Sequence, residues 1–215
     1  MFYLNEFIKE VYSGKTIGRI LFNREVFLNC KNVEGDVIDL ATGEMPSYYK
    51  FLPKGLNIKR ADYVKKTGAE EPVDLNKPLP FLDNTFDSVF LFNAVYILED
   101  PFETLLEIKR ILKVGGKLYL SSPFSNIETP EPHDFRRYTM EGLEIEFKKV
   151  GFRDILIKRY GDRFSSSVNL ITPFIVFKTL RLFVYSSALI LDKLIPLKIK
   201  QQNPAPLGYF CVVKK

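Results

Sequence analysis

The segment Pro80–Pro123 constrains the fold of this chain more than any other stretch. The apolar run Ser88–Phe92 is too short for a helix and is typical of a parallel strand buried on both faces. Pro101–Leu112 follows with apolar residues at helical spacing and charged residues between them. The pair Gly115-Gly116 predicts the end of this helix, because glycine accepts a positive φ readily. A second apolar run, Leu118–Ser122, then predicts another strand.

A strand–helix–strand unit of this length crosses over right-handed and needs further units to cover its sheet. The chain is therefore predicted to be a doubly wound α/β domain. Asp36–Leu40 and Asn57–Asp62 are predicted as its first two strands. Phe152–Tyr160 alternates like a strand, and Gly208–Lys214 is its predicted antiparallel partner.

The bulk composition is that of one folded domain spanning residues 1–215. Residues 1–30 carry apolar residues at helical spacing and predict N-terminal helices, and their mixed charges differ from a secretory signal. We therefore expect a cytoplasmic protein. Cys30 and Cys211 are too few for a disulfide framework. With one histidine, His133, the chain is not expected to build a zinc site.

Positive charge is concentrated at the C-terminal end of the chain. The net charge is +5, yet from Lys158 onward ten Lys and Arg face only two acids, so that this third carries +8 and the rest −3. No nucleic-acid-binding motif accompanies these residues. A basic and apolar segment favours an anionic surface as partner and argues against nucleic acid.

The two predicted C-terminal strands are separated by far more residues than a hairpin needs, which marks residues 164–206 as a helical insertion. Within it, residues 168–200 read as an amphipathic helix with a wide apolar face and a basic stripe. Four interpretations stay open: a lid over the substrate, a homodimer contact, a peripheral membrane contact, and a spanning helix. Lys178 and Arg181 oppose spanning, since each costs about 2.5–3.5 kcal/mol near a membrane centre.

The central segment resembles the class I S-adenosylmethionine-dependent methyltransferases, in particular the methyltransferase type 11 group. The resemblance rests on spaced blocks of sequence: Leu79-Pro80-Phe81, Phe86-Asp87-Ser88-Val89, Asp100-Pro101, Glu107–Lys113 and Gly115-Gly116. It implies a Rossmann-like, mostly parallel seven-stranded sheet with a helical insertion before the last strand. It also implies S-adenosylmethionine as the cofactor.

The resemblance implies the cofactor-binding residues at the ends of the strands, where ligands bind in doubly wound sheets. After the first strand, the family's glycine-rich turn is degenerate: Asp39 and Gly43 match it, whereas Ala41 and Met45 replace glycines. The other positions that match the family's cofactor residues are the acid ending the second strand, the pair before the central segment and the residue closing the fourth strand. They are Asp62 for the ribose hydroxyls, Asp74 and Leu75 for adenine, and Asn93 beside the sulfonium.

A further block, Pro130–Thr139, resembles a His-Asp-x-x-Arg-Tyr-Thr motif of one branch of these enzymes, often linked to polysaccharides or lipid-linked sugars. His133 and Asp134 are the candidate catalytic bases, because a neutral imidazole can take a proton from a substrate hydroxyl. The alternative is that these residues organise the loop by hydrogen bonds. Thr139 is the expected cap of the next helix, which should end near Gly151.

These features predict methyl transfer from S-adenosylmethionine to an unidentified small-molecule or lipid-linked acceptor, such as a sugar or lipid-linked hydroxyl. The alternative is a non-catalytic binding or scaffold protein of the same fold, which the missing glycines favour. A nicotinamide-dependent enzyme shares the fold type, but no Gly-x-Gly-x-x-Gly follows the first strand.

Overall fold

The computed structural model describes residues 4–44, 46–63, 71–130 and 133–215. The strands are β1 (Asp36–Leu40), β2 (Asn57–Asp62), β3 (Glu71–Pro72), β4 (Phe86–Phe92), β5 (Leu112–Pro123), β6 (Arg153–Tyr160) and β7 (Gly208–Lys214). The helices are α1 (Leu4–Tyr12), α2 (Ile17–Asn29), α3 (Pro101–Ile111), α4 (Met140–Val150), α5 (Arg163–Ile171), α6 (Lys178–Leu194) and α7 (Leu197–Gln202).

The described strands form one sheet in the order β3-β2-β1-β4-β5-β7-β6. The first five pair in parallel, and β7 runs antiparallel to both β5 and β6. This confirms the predicted doubly wound α/β fold and the antiparallel pairing of the two C-terminal strands. The chain order reverses between β1 and β4, which places a ligand-binding crevice beyond the carboxyl ends of these two strands.

Helices cover both faces of the sheet. On one face α3 and α4 bury Leu105, Ile108 and Phe147 against Ile38 and other strand residues. On the other face α1, α2 and α6 pack over the alternate positions of the same strands, which include Val37, Phe90, Phe92, Tyr119 and Phe210. Because neighbouring strand residues point to opposite faces, a strand covered on both sides must be apolar throughout.

The prediction that Gly115-Gly116 ends the central helix is wrong. Helix α3 ends at Ile111, and Leu112 is already the first residue of β5. Gly115, at φ 81°, lies inside β5, where the pairing with β4 skips from Phe86–Leu112 to Ser88–Lys117. The positive φ is therefore needed for an irregularity of the strand, since extra residues in a strand are accommodated by a bulge.

The ends of helix α4 confirm the sequence prediction. The Thr139 hydroxyl accepts a hydrogen bond from Gly142 N at 3.1 Å, which satisfies one of the free amides of the first turn. Gly151 ends the helix in the left-handed conformation at φ 83°.

Between β6 and β7 the chain forms three helices rather than one long amphipathic helix. Helix α6 begins only at Lys178, because residues 172–174 form a separate turn of 3₁₀ helix. Its buried side carries Tyr185, Ala188 and Asp192, so two polar residues of this helix face the protein interior. In the part of the chain that the structure describes, no helix has the length and hydropathy needed to cross a membrane.

Candidate functional site

Asp39 is the most deeply buried acid at the carboxyl edge of the sheet. It lies on β1 between two apolar residues, and it points to the same face as Val37, toward α2. The Tyr48 hydroxyl donates a 2.6 Å hydrogen bond to its Oδ2, whereas Oδ1 has no hydrogen-bond partner among the described residues. Burial raises the pKa of Asp39 to about 7, and the bond from Tyr48 opposes this rise.

The loop after β1 is fastened to the end of β2 by two side chains of that strand. Gly43 N donates to Asp62 Oδ2 at 2.7 Å, and Arg60 Nη2 donates to the carbonyl oxygens of Gly43 and Glu44 at 2.8 and 3.1 Å. Ala41 and Gly43 both have a positive φ, 61° and 67°, which lets the loop turn tightly. The structure thus brings Asp39, Gly43 and Asp62 together, whereas Met45 lies outside the described residues.

Asp74 and Leu75 lie at the neighbouring strand end. Val73 N donates to Asp62 O at 2.9 Å, which places this segment directly beside β2. Asp74 accepts from Asn76 N at 3.0 Å and pairs with Lys77 Nζ at 3.2 Å, so its carboxylate has local partners. The Leu75 carbonyl oxygen accepts from Thr104 Oγ1 at 2.8 Å, which leaves the backbone of this segment firmly positioned.

Asn93 closes β4 with a left-handed backbone, at φ 52°. The backbone nitrogen of Asn93 donates to the carbonyl and the hydroxyl of Ser121 on β5. The Ser121 hydroxyl donates in turn to the side-chain Oδ1 of Asn93 at 3.1 Å. Left-handed asparagine is uncommon and is typical of sites where the surrounding structure fixes an otherwise unfavourable conformation. The chain is turned here so that Asn93 faces a cleft.

This cleft has a volume of about 160 Å³ and lies at the carboxyl ends of β4 and β5. Its polar lining comes from the start of α2, the ends of the strands and α5: Thr16, Arg19, Asn93, Tyr96, Ser125, Asn126, Tyr160 and Asn169. Arg19 is its only ionised group among the described lining residues. Asn169 Oδ1 accepts from Gly18 N at 3.1 Å, which ties α5 to α2 across the opening.

His133 and Asp134 do not line this cleft. The His133 ring is exposed and stacks on Phe135, with 5.2 Å between the ring centroids. Asp134 forms a bidentate pair with the Arg137 guanidinium and accepts from Thr129 N at 2.9 Å. These hydrogen bonds, above all those from Arg137, lower the pKa of Asp134 and make it a weaker base.

Residues 135–137, which follow β5, instead hold the loop after β4 in place at the rim of the cleft. The Arg137 guanidinium lies over the Tyr96 ring, 5.2 Å from its centroid, and Arg136 donates to the Glu99 carbonyl at 2.8 Å. Phe135 N donates to Tyr96 O at 3.0 Å. This geometry favours the structural alternative for the block, and the catalytic role of His133 and Asp134 stays a prediction.

Several site residues were not identified from the sequence. Tyr48 and Arg60 hold the loop and the acid of β1, and Arg19, Asn126 and Asn169 line the cleft. Arg60 could have been identified, because it stands two residues before Asp62 and so points to the same face of β2. The residues from α2 and α5 carry no local motif. Among the described residues no group of His, Cys, Asp and Glu could hold a metal ion.

Comparisons of the sequence point to one family. Residues 56–120 match the model of the family described as "Methyltransferase domain". The chain is 33% identical over 121 residues to a ubiquinone/menaquinone biosynthesis C-methyltransferase of Desulfotalea psychrophila, covering 48% of this chain and 49% of that one. It is 30% identical over 94 residues to a demethylmenaquinone methyltransferase of Renibacterium salmoninarum, covering 40% of each. The chain thus spans less than half the length of these two relatives.

Solved structures share the fold. A SAM-dependent methyltransferase from Archaeoglobus fulgidus superposes with a TM-score of 0.63 at 16% identity, covering 99% of this chain and 100% of that one. Phosphoethanolamine N-methyltransferase 2 of Haemonchus contortus, solved with S-adenosyl-L-methionine, superposes with a TM-score of 0.56 at 14% identity. That match covers 100% of this chain and 58% of that one. At these identities the likeness concerns the fold alone.

Proposed function

We propose that this chain is a class I S-adenosylmethionine-dependent methyltransferase, which transfers a methyl group from S-adenosylmethionine to an acceptor in the cleft beside Asn93. The main support for this proposal is that Asp39, Gly43 and Asp62 lie close together at the carboxyl edge of the sheet. Ligands bind at this edge in doubly wound sheets. The acceptor cleft opens beside the next strand end.

The residues at this edge fit the parts of the cofactor. Asp62 uses Oδ2 for Gly43 N, and a carboxylate has further acceptor sites for ribose hydroxyls. Asp74 lies at the adjacent strand end, where an acceptor for the adenine amino group is needed. Ala41 and Gly43 make the turn that the amino-acid end would contact, with positive φ at both positions. S-Adenosylmethionine, when bound, supplies a methyl group already activated by the sulfonium charge.

The chain's own contribution is then the placement of the acceptor and the exclusion of water. Asn93 is held by Ser121 at the point where the cofactor crevice meets the cleft. Asn126 and Asn169 can donate and accept hydrogen bonds, and Arg19 adds a positive charge. Burial raises the pKa of both Tyr96 and Tyr160, so these hydroxyls stay protonated and act as hydrogen-bond groups rather than as bases.

The acceptor that suits these groups is polar and bears a hydroxyl or an amine, and a sugar or lipid-linked hydroxyl is our specific proposal. The names of the two sequence relatives given above concern quinone acceptors, which makes a quinone the main competitor. No carboxylate or imidazole is present among the described cleft-lining residues. A base for the acceptor proton would therefore have to come from outside this lining.

One observation favours the scaffold alternative. Arg60 holds the carbonyl oxygens of Gly43 and Glu44, so the loop is tied to β2 where the family's glycines would wrap the cofactor. An assay with methyl-labelled S-adenosylmethionine separates the two functions. Transfer of label to an extracted lipid, glycolipid or quinone fraction supports the enzyme. Absence of transfer, together with no thermal shift at millimolar S-adenosylhomocysteine, supports the scaffold.

A further inference from the structure

A group of large apolar side chains projects from the protein between β6 and β7. Six of them, each between 69% and 83% exposed, form what we name the α6–α7 apolar face: Phe174, Val176, Phe177, Phe183, Leu194 and Leu197. Exposed apolar side chains that occur singly are ordinary, whereas several aromatic and aliphatic ones close together in the chain mark a candidate interaction site.

The orientation of α6 is fixed by polar contacts on its inner side. Asp192, 7% exposed, accepts hydrogen bonds from Phe164 N and Ser165 N at 2.9 and 3.1 Å. The Tyr185 hydroxyl is 3.1 Å from Thr172 Oγ1. Rotating the helix to bury Phe183 would break these bonds, each of which is costly to leave unmade. The outward apolar face is therefore built into the fold.

Charge identifies the partner that this face suits. From 163 to 204 the chain contains one acid, Asp192, and it is turned inward. Lys178, Lys193 and Lys198 are exposed among or beside the apolar residues. An apolar face edged by lysines matches the interface of an anionic bilayer, where apolar side chains enter the acyl boundary and ammonium groups meet the lipid phosphates.

A second copy of the chain is a poorer partner for this face. A two-fold contact brings each surface patch against its copy, so neither copy of this segment would offer an exposed acid to pair with the other's lysines. The lack of such pairs disfavours association, whereas the same lysines attract an anionic lipid surface. These charges favour the membrane over the homodimer.

We propose that the α6–α7 apolar face docks on the surface of anionic membranes. Docking would also bring the cleft close to the lipid headgroups. Asn169 on α5 lines the cleft, and the next two residues, Leu170 and Ile171, are 42% and 50% exposed. A lipid-linked acceptor would then reach the cleft without leaving the membrane, a consequence that rests on the proposed methyl transfer.

The chain contains no tryptophan, so a single Phe177→Trp variant gives an unobstructed fluorescence reporter. With vesicles of phosphatidylglycerol and phosphatidylcholine at low salt, its emission should shift to the blue. Leu82→Trp, at a position 82% exposed outside this face, is the matched control and should show no shift. An unchanged emission of Phe177→Trp, with native circular dichroism, would overturn the proposal.

The contribution of charge is tested by flotation of the full chain. Lys178→Glu with Lys198→Glu should weaken binding to these vesicles at least about tenfold, since each lysine near an anionic surface contributes about 1 kcal/mol. Lys54→Glu, an exposed reversal elsewhere, should bind like the wild type. A blue shift that follows protein concentration without vesicles, with a dimer in light scattering, would overturn membrane docking in favour of self-association. Calorimetry with S-adenosylhomocysteine reports separately on the methyl-transfer site.

Discussion

The Tyr48 hydroxyl donates a 2.6 Å hydrogen bond to the carboxylate of Asp39, and both residues are buried. Tyr48 lies between β1 and β2, so this bond fixes the path by which the chain returns over the end of β1. The Tyr48 ring also packs edge-on against Phe22 of α2 and Phe92 of β4, with centroids 5.6 and 5.1 Å away. One buried acid thus connects the loop, the sheet and the N-terminal helices.

The raised pKa of Asp39 predicts that stability falls as the pH rises toward neutrality. In the unfolded chain this carboxyl loses its proton near pH 3.9, whereas in the folded protein it holds the proton to a pH of about 7. The folded state therefore binds more protons between these values, and its free energy of unfolding decreases across this range by about 1–4 kcal/mol from this residue. Above pH 7 the contribution no longer changes.

Asp39→Asn should remove that part of the pH dependence, which urea unfolding at pH 5 and pH 8 would measure. The exposed Glu34→Gln variant is the matched control and should keep the wild-type slope. An Asp39→Asn profile parallel to that of the wild type would show that Asp39 ionises normally in the folded protein.

Gly208 is predicted to be intolerant of any side chain. A Cβ at this position would lie 2.7 Å from the Ser122 carbonyl oxygen and 2.5 Å from the Tyr160 hydroxyl. The first is backbone of the paired strand and cannot move without opening the sheet, so Gly208→Ala should destabilise the protein by about 1–3 kcal/mol. Gly142→Ala in α4 has ordinary contacts at 3.4 Å and should be neutral or stabilising. Thermal unfolding compares the two variants.

A His133 variant tests whether this residue is catalytic or only helps to organise its loop. Its ring is exposed and stacked on Phe135, so His133→Gln should lower the rate of methyl transfer less than about tenfold. Loss of a general base costs about 10²–10⁴-fold and alters the pH–rate profile. A decrease of that size at His133 would establish it as a catalytic residue and would require the block to move toward the cleft.

Asp134→Asn is expected to act differently from the histidine variant. It weakens the pair with Arg137, which packs over Tyr96 at the cleft rim. The rim should loosen, and KM for the acceptor should rise more than kcat falls, because the change affects positioning rather than a proton transfer. Steady-state kinetics of the variant, with unchanged binding of S-adenosylhomocysteine, would check this.

Local patterns in the sequence were sufficient to predict most of the sheet. The bounds of β1, β2 and β7 agree with the predicted segments, and the short apolar runs of β1 and β7 report directly on burial. Gly115 was misplaced for a physical reason: a positive φ is needed both at helix ends and at strand irregularities, and the sequence does not distinguish them.

The inner and outer sides of α6 could not be predicted in the same way. Helical periodicity shows two faces but not which one meets the protein. Asp192 and Tyr185 are polar, yet they lie on the inner side of α6, because their hydrogen-bond partners lie on α5 and the following turn. The cleft could not be predicted from the sequence either, because tertiary packing brings Arg19 and Asn169 together from distant parts of the chain.

The proposed role of Asp62 in binding the methyl donor is tested most directly by isothermal titration calorimetry with S-adenosylhomocysteine. The wild type should bind, and Asp62→Ala should bind about 10- to 100-fold more weakly, because hydrogen bonds to a charged group contribute about 1.5–3 kcal/mol. Glu34→Ala, an exposed acid elsewhere, should match the wild type. Equal affinities of Asp62→Ala and wild type, or no binding by the wild type, would contradict the assignment of this edge as the methyl-donor site.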